Sequence, residues 1–347
     1  MGHQATTTPN SYRARMREGI GHLPPASFAS VMAAGIVSRA AASVGAHTVA
    51  RLLLSLGVLL YVVLVGATAW RVAAYRSRVA QDAADPARAF GFFTFVAASD
   101  VLATDLATGH WRPFAIGVLT GGALCCVALL RAVATAARNR SARPDGSWFL
   151  LVVGPQSVVV ATTELRVGPA TAIPGMCCWA AGVLAYATVT SLVWTRLRRY
   201  GVPPAELTPV YWIAMGAGAI SVLAGASVLQ SASWNVPVRT VITAVLMLVS
   251  GWATALIPVL LAVGAWRHIR HRVPLRYELS WWSAVFPIGM YAVATQRAAR
   301  VTGASLWQEA GRTAAWAALA AWTLVGAVML VQWSRSGPMP RRDEPPG

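Results

Sequence analysis

Long apolar stretches separated by short polar segments dominate the pattern along the chain. A helix needs about 20 mostly apolar residues to cross the hydrocarbon core of a bilayer. Ten windows of this kind fit the sequence, so it predicts an all-α integral membrane protein with ten transmembrane helices. The predicted spans are 26–46, 49–70, 89–106, 114–133, 147–163, 172–194, 208–230, 241–265, 279–295 and 313–333.

The odd-numbered windows begin alike, because a proline and then an aromatic residue lie at or shortly before the start of each window. A period of roughly 60 residues fits one helical hairpin per repeat, and it predicts five helical hairpin repeats around a central pore. Prolines that merely mark loop ends would give a similar spacing without a repeat. The pairs are Pro25 with Phe28, Pro86 with Phe90, Pro144 with Trp148, Pro209 with Trp212, and Pro274 with Tyr277.

Composition and charge support a membrane protein. The chain is 56% hydrophobic and 12% charged, with a mean hydropathy of +0.54, and a soluble domain would need about twice that share of charge. The net charge of +17 would suggest nucleic acid in a soluble protein, but all 29 basic residues are arginine and most lie between apolar windows. We therefore expect a lipid bilayer as the partner and no nucleic acid.

Arginine placement also predicts the topology. Short loops rich in arginine stay in the cytoplasm, and most arginines fall on the side that both termini share. We expect a multi-pass protein of the plasma (inner) membrane with a cytoplasmic tail over 1–25, a transmembrane domain over 26–334 and a second cytoplasmic tail over 335–347. The first tail lacks a short apolar core followed by a cleavage site, which argues against a signal peptide.

Several odd-numbered windows are interrupted at about the same depth. Pro287 and Gly289 interrupt the ninth window, and a proline inside a membrane helix is tolerated only where protein or a water-filled cavity satisfies the freed carbonyl. At 1.5 Å per residue, the other breaks also lie roughly 10–17 Å from the inner ends. Exposed backbone dipoles and hydroxyls would hold ions here. The predicted pore-lining residues are Gly35, Ser38, Gly154, Pro155, Gln156, Ser157, Gly216, Ser221, Pro287 and Gly289.

Few ionisable residues fall inside the windows, and a charge at the bilayer centre costs at least about 2.5–3.5 kcal/mol. Asp100 lies just past the middle of the third window and Arg39 in the outer third of the first. Asp100 either carries a proton coupled to transport or pairs with Arg39 as a structural link.

The cysteines form two adjacent pairs, Cys125-Cys126 and Cys177-Cys178, which is not a metal-binding spacing. We expect no metal ion and no cofactor.

Five segments in the same order resemble a known family. In the ninth window, Trp281-Trp282 is followed four residues later by Phe286-Pro287, and the other matching segments are 28–38, 148–157, 211–217 and 258–268. Together they are similar to the tellurite-resistance/dicarboxylate transporter family, which includes the slow-type anion channels of plants. Ala33 and Ala34 stand where that family usually has glycine and threonine.

The resemblance implies a homotrimer with one pore per subunit, lined by the odd-numbered helices and plugged by a phenylalanine, here Phe286. It implies transport of small anions such as chloride, nitrate, sulfite or mono- and dicarboxylates such as malate. The alternatives are a proton-coupled exporter of four-carbon dicarboxylates or sulfite that uses Asp100, and an α-helical membrane enzyme or sensor. An enzyme has little support, because the sequence has no His-Glu-x-x-His, Gly-x-Ser-x-Gly or Gly-Lys-Ser/Thr motif.

The arginine distribution makes a prediction about topology. Tags fused to the two termini should both be cytoplasmic, because an even number of spans places both ends on the arginine-rich side. Protease protection of the tags in inside-out and right-side-out vesicles measures this. A C-terminal tag on the opposite side would mean that the number of spans is odd.

Overall fold

A computed structural model describes residues 17–107, 109–136, 143–275 and 277–335 of the chain. Within these ranges the protein is helical and contains no β-strand. Most of the two predicted tails lies outside the described residues. Ten helices in the described ranges have 13 or more residues, and we number them in chain order. They are α1 (Ala29–Ser43), α2 (His47–Ala74), α3 (Phe93–Asp105), α4 (Arg112–Ala136), α5 (Leu150–Glu164), α6 (Ala172–Tyr200), α7 (Ile213–Ser231), α8 (Val236–Ala265), α9 (Trp282–Thr302) and α10 (Ser305–Arg335).

Each predicted window overlaps one of these helices, and eight of the helices have the length and apolar composition of a membrane span. The exceptions are α3, which has only 13 residues, and α9, whose last half carries Arg297 and Arg300. Both helices are almost entirely buried by other helices. A helix that touches protein instead of lipid needs less apolar surface. The total of ten spans remains a prediction.

The odd-numbered helices form a closed ring. Around it, α1 packs on α3, α3 on α5, α5 on α7, α7 on α9 and α9 on α1. Each even-numbered helix lies outside, against the odd-numbered helix that precedes it. Between 67% and 89% of each span in α1, α5 and α7 is buried, whereas the spans of the even-numbered helices are 11% to 28% buried. The outer helices therefore present the apolar surface that lipid can cover.

All five inner helices also begin in the same way. A short 3₁₀ turn that carries an aromatic residue precedes each of them, which explains why the α-helices start a few residues later than the predicted windows. The tighter winding of such turns is common where a helix starts. The turns are Pro25–Phe28, Phe90–Phe92, Gly146–Phe149, Pro209–Trp212 and Leu279–Trp281.

Ring neighbours approach closely where an inner helix has glycine. A Cβ atom placed on Gly216 of α7 would lie 2.9 Å from Cγ and 3.2 Å from Cα of Pro287 in α9. A Cβ atom on Gly35 of α1 would lie 2.5 Å from Cγ1 of Val101 in α3. Real Cβ atoms do not sit this close to their neighbours, and proline is too rigid to move aside. The ring therefore depends on the absence of a side chain at these positions.

We expect Gly216→Ala to destabilise the protein, because the added methyl group overlaps Pro287. Overpacking of this kind typically costs about 1–3 kcal/mol, so the thermal midpoint in detergent should fall and less folded protein should be recovered. Gly251→Ala on α8 is the matched control, since nothing lies within 4 Å of a Cβ atom there. Equal midpoints for the two variants would contradict the close contact between α7 and α9.

Candidate functional site

The glycines predicted to line a pore lie at the contacts between neighbouring inner helices. Gly35 faces Val101 and Gly216 faces Pro287, as described above. A Cβ atom on Gly154 of α5 would lie 2.6 Å from Cδ1 of Phe93, and one on Gly289 of α9 would lie 2.9 Å from Cγ2 of Ile36. These four glycines therefore connect α1 with α3, α3 with α5, α7 with α9 and α9 with α1. Pro155 follows Gly154 on α5, and its carbonyl oxygen lies 3.8 Å from Sγ of Cys178 on the outer helix α6.

The polar side chains of three inner helices are directed toward the outer layer. The Ser38 hydroxyl donates to the carbonyl of Ala50 on α2 at 2.8 Å. Gln156 Nε2 donates to the carbonyl of Trp179 on α6 at 3.1 Å, and Trp179 Nε1 donates to the carbonyl of Ser221 at 2.9 Å. The Ser221 hydroxyl donates within its own helix to Ala217. These groups connect the ring with the helices around it.

Asp100 and Ser157 meet where α3 contacts α5. Oγ of Ser157 lies 2.6 Å from Oδ2 of Asp100 and 2.7 Å from the carbonyl oxygen of Gly154. Asp100 is only 1% exposed, and its Oδ1 has no hydrogen-bond partner among the described residues. An ionised carboxylate here would have one hydroxyl donor and no cation in the described part of the chain, which is an expensive arrangement in an apolar interior.

Arg39 does not pair with Asp100. Its Nε lies 3.6 Å from Oδ1 of Asp105, one turn further along α3. The structural link that the sequence suggested between Arg39 and Asp100 is therefore replaced by a link with Asp105. Because Arg39 pairs with Asp105, the ion pair lies at the end of the ring where the inner helices finish. Arg39 is therefore separated from the carboxyl group of Asp100 in the interior.

Phe286 is 2% exposed and lies on α9, between the ring neighbours α1 and α7. The next residue is Pro287, whose side chain lies against Gly216. Phe286 is thus held beside a close contact between α7 and α9. An apolar constriction blocks a hydrated ion, because it strips water and offers nothing in return.

A second ion pair lies at the same end of the ring as Arg39 and Asp105. Arg297 of α9 contacts Glu164, the last residue of α5. Gln296 donates from the same turn of α9 to the Ser43 hydroxyl at the end of α1, at 2.9 Å. Sequence reasoning placed these charges near helix ends but did not pair them. Their opposite signs, near the C-terminal ends of odd-numbered helices, were the available signal.

Comparison with known proteins agrees with this architecture. Residues 22–330 match the family model for the voltage-dependent anion channel. An uncharacterized membrane protein of Mycobacterium tuberculosis, found in strains CDC 1551 and H37Rv, is 45% identical over 152 residues, which is 42% of this chain and 75% of the relative. The match confirms the resemblance seen in the motifs. This chain is a membrane protein of the voltage-dependent anion channel family, whose members move anions across membranes.

Proposed function

We propose that this protein passes small anions along the axis of the inner ring, with Phe286 as the gate. The closed ring is the observation that supports the proposal most strongly, because the inner helices are largely buried behind apolar outer helices and the axis is therefore shielded from lipid. The substrates would be chloride, nitrate, sulfite or mono- and dicarboxylates such as malate. The protein would act as a homotrimer in the plasma membrane with both termini in the cytoplasm.

An uncharged lining suits such a pathway. A permeant ion must be attracted strongly enough to enter and weakly enough to leave. The hydroxyl of Ser157 would supply the attraction, whereas Gly35, Gly154, Gly216 and Gly289 would shape the pathway by letting the inner helices pack closely. Ser38, Gln156 and Ser221 would act indirectly, because their hydrogen bonds to α2 and within the α5, α6 and α7 cluster fix the positions of the inner helices.

The direct test is anion flux through purified protein in liposomes. A panel of chloride, nitrate, sulfite and malate, imposed as gradients one at a time, should give flux above that of protein-free liposomes for at least one anion. The order of the rates identifies the substrate class. Flux of no anion, in the wild type or in a variant without the gate, would contradict the proposal and favour a sensor or an enzyme.

The geometry around Asp100 favours one alternative, a proton-coupled exporter of dicarboxylates or sulfite. A buried carboxyl group that has a single hydroxyl partner and no cation can take up and release a proton as its surroundings change. Ser157 lies between this carboxyl group and the backbone of Gly154. A proton on Asp100 would therefore act next to Gly154 and Pro155, through which α5 continues without the interruption that the sequence predicted.

Phe286→Ala tests the gate. If Phe286 blocks the pathway, its removal should raise anion flux severalfold and leave the yield of folded protein close to that of the wild type. If Phe286 only packs between helices, truncation should cost about 3–5 kcal/mol and lower the yield. Phe149→Ala is the matched control, since Phe149 is also 2% exposed but packs against Tyr186 of the outer layer. That variant should lose yield and gain no flux.

Asp100→Asn tests proton coupling. The amide keeps the shape and a hydrogen bond to Ser157 but cannot exchange a proton, so transport should no longer respond to an imposed pH gradient. Flux with and without the gradient provides the measurement. Ser157→Ala keeps the carboxyl group and should keep a response to pH. A response in Asp100→Asn equal to that of the wild type would return Asp100 to a structural role.

A further inference from the structure

Four inner helices bring charged side chains to the end of the ring where these helices finish, which we call the C-terminal mouth. Arg39 comes from α1, Asp105 from α3, Glu164 from α5 and Arg297 from α9. Arg300, one turn after Arg297, joins this group. The described parts of the inner helices carry no comparable cluster at their N-terminal ends. The mouth therefore differs in chemistry from the apolar interior below it.

The ion pair between Glu164 and Arg297 crosses the ring. Helices α5 and α9 are not neighbours, because α7 lies between them on one side and α1 and α3 lie between them on the other. Packed helices are about 8–10 Å apart, so the axes of next-but-one helices in a regular ring of five are separated by about 13–16 Å. The side chains of Glu164 and Arg297 span this distance only by extending past the end of α7, on the side that faces the ring axis. The pair consequently lies over the opening of the ring.

Solvent reaches the side chains of this pair, although the Glu164 Oε1 atom that contacts Arg297 is buried. The side chains of Arg297 and Glu164 are 20% and 22% exposed, and that of Arg39 is 24% exposed, whereas Asp105 is 7% exposed. Arg39 and Arg300 lie near enough to Arg297 to repel it electrostatically. Three guanidinium groups thus share two carboxylates. In the described part of the chain, this group therefore has one guanidinium more than it has carboxylates, and Arg297 lies near the other two guanidinium groups.

We propose that the C-terminal mouth is a binding site for a small anion and that Glu164 acts as a tethered competitor for it. In the closed arrangement Arg297 binds the Glu164 carboxylate, which covers the opening. An arriving anion takes the place of the carboxylate on Arg297, so Glu164 swings aside and the mouth opens. The exchange replaces one ion pair of Arg297 with another. This inference rests on the proposed function, because it describes how an anion enters the pathway.

The two partners of the pair should have opposite effects on flux. Glu164→Gln removes the competitor and leaves Arg297 free, so anion flux in liposomes should rise severalfold and saturate at a lower anion concentration. Arg297→Gln removes the cation and leaves a carboxylate at the mouth, so flux should fall severalfold. Glu206→Gln, which weakens the pair of Glu206 with Arg196 near the opposite end of the ring, should leave flux unchanged.

A purely structural pair gives a different result. If the contact only ties α5 to α9, then Glu164→Gln and Arg297→Gln should both lower the thermal midpoint and change flux in the same direction. That outcome would contradict the proposal that the C-terminal mouth binds an anion. Flux in Phe286→Ala, measured in the same liposomes, separates the two proposals. If Phe286→Ala conducts anions while Glu164→Gln and Arg297→Gln change flux in the same direction, only the anion-binding site at the mouth is refuted. If no variant conducts anions, the proposed function itself is refuted.

Arg297→Lys provides an independent test if either glutamine variant is not recovered in folded form. The guanidinium fork matches a planar oxyanion through two parallel hydrogen bonds, whereas an ammonium group acts as a point charge. The lysine variant should therefore lower the ratio of nitrate flux to chloride flux severalfold while it keeps a cation at the mouth. A ratio equal to that of the wild type would show that Arg297 does not contact the passing anion.

Discussion

Close packing of the five inner helices against one another is the constraint on which the rest of the structure depends. Gly216 leaves no room for a side chain beside Pro287, and Gly35 leaves none beside Val101 unless the Val101 side chain moves. Helices packed this closely shield one another from lipid. This shielding explains how α3 can be short and how α9 can carry arginines inside a membrane protein. The outer helices then need only an apolar surface.

Much of this architecture could be predicted from the sequence. The positions of the helices follow from apolar windows, and the proline and aromatic pairs correctly mark where each inner helix begins. The motif around Phe286 identified the family. Each of these signals is local, because it depends on residues within about one helical span of each other. The number of membrane spans and the roles of the pore-lining residues are still predictions.

The contacts within the candidate site could not be predicted, because they join distant parts of the chain. Gly154 was expected to expose backbone to a pore, yet it accommodates Phe93 of the preceding repeat. Ser38 was expected to offer its hydroxyl to ions, yet it donates to Ala50 on an outer helix. The pair between Glu164 and Arg297 depends on the order of helices around the ring, which hydropathy does not contain. Which face of a buried helix points inward is decided by packing, since all its faces are apolar.

The central claim is that anions travel along the axis of the inner ring, and a reversible bridge across that axis tests it most directly. Glu164→Cys and Arg297→Cys, combined in a protein whose four native cysteines are replaced by serine, place two thiols on opposite sides of the mouth. A bifunctional thiol reagent long enough to join them should abolish anion flux, and a reductant that cleaves the bridge should restore it. Complete cross-linking with undiminished flux would contradict the claim, because the anions would then be passing elsewhere.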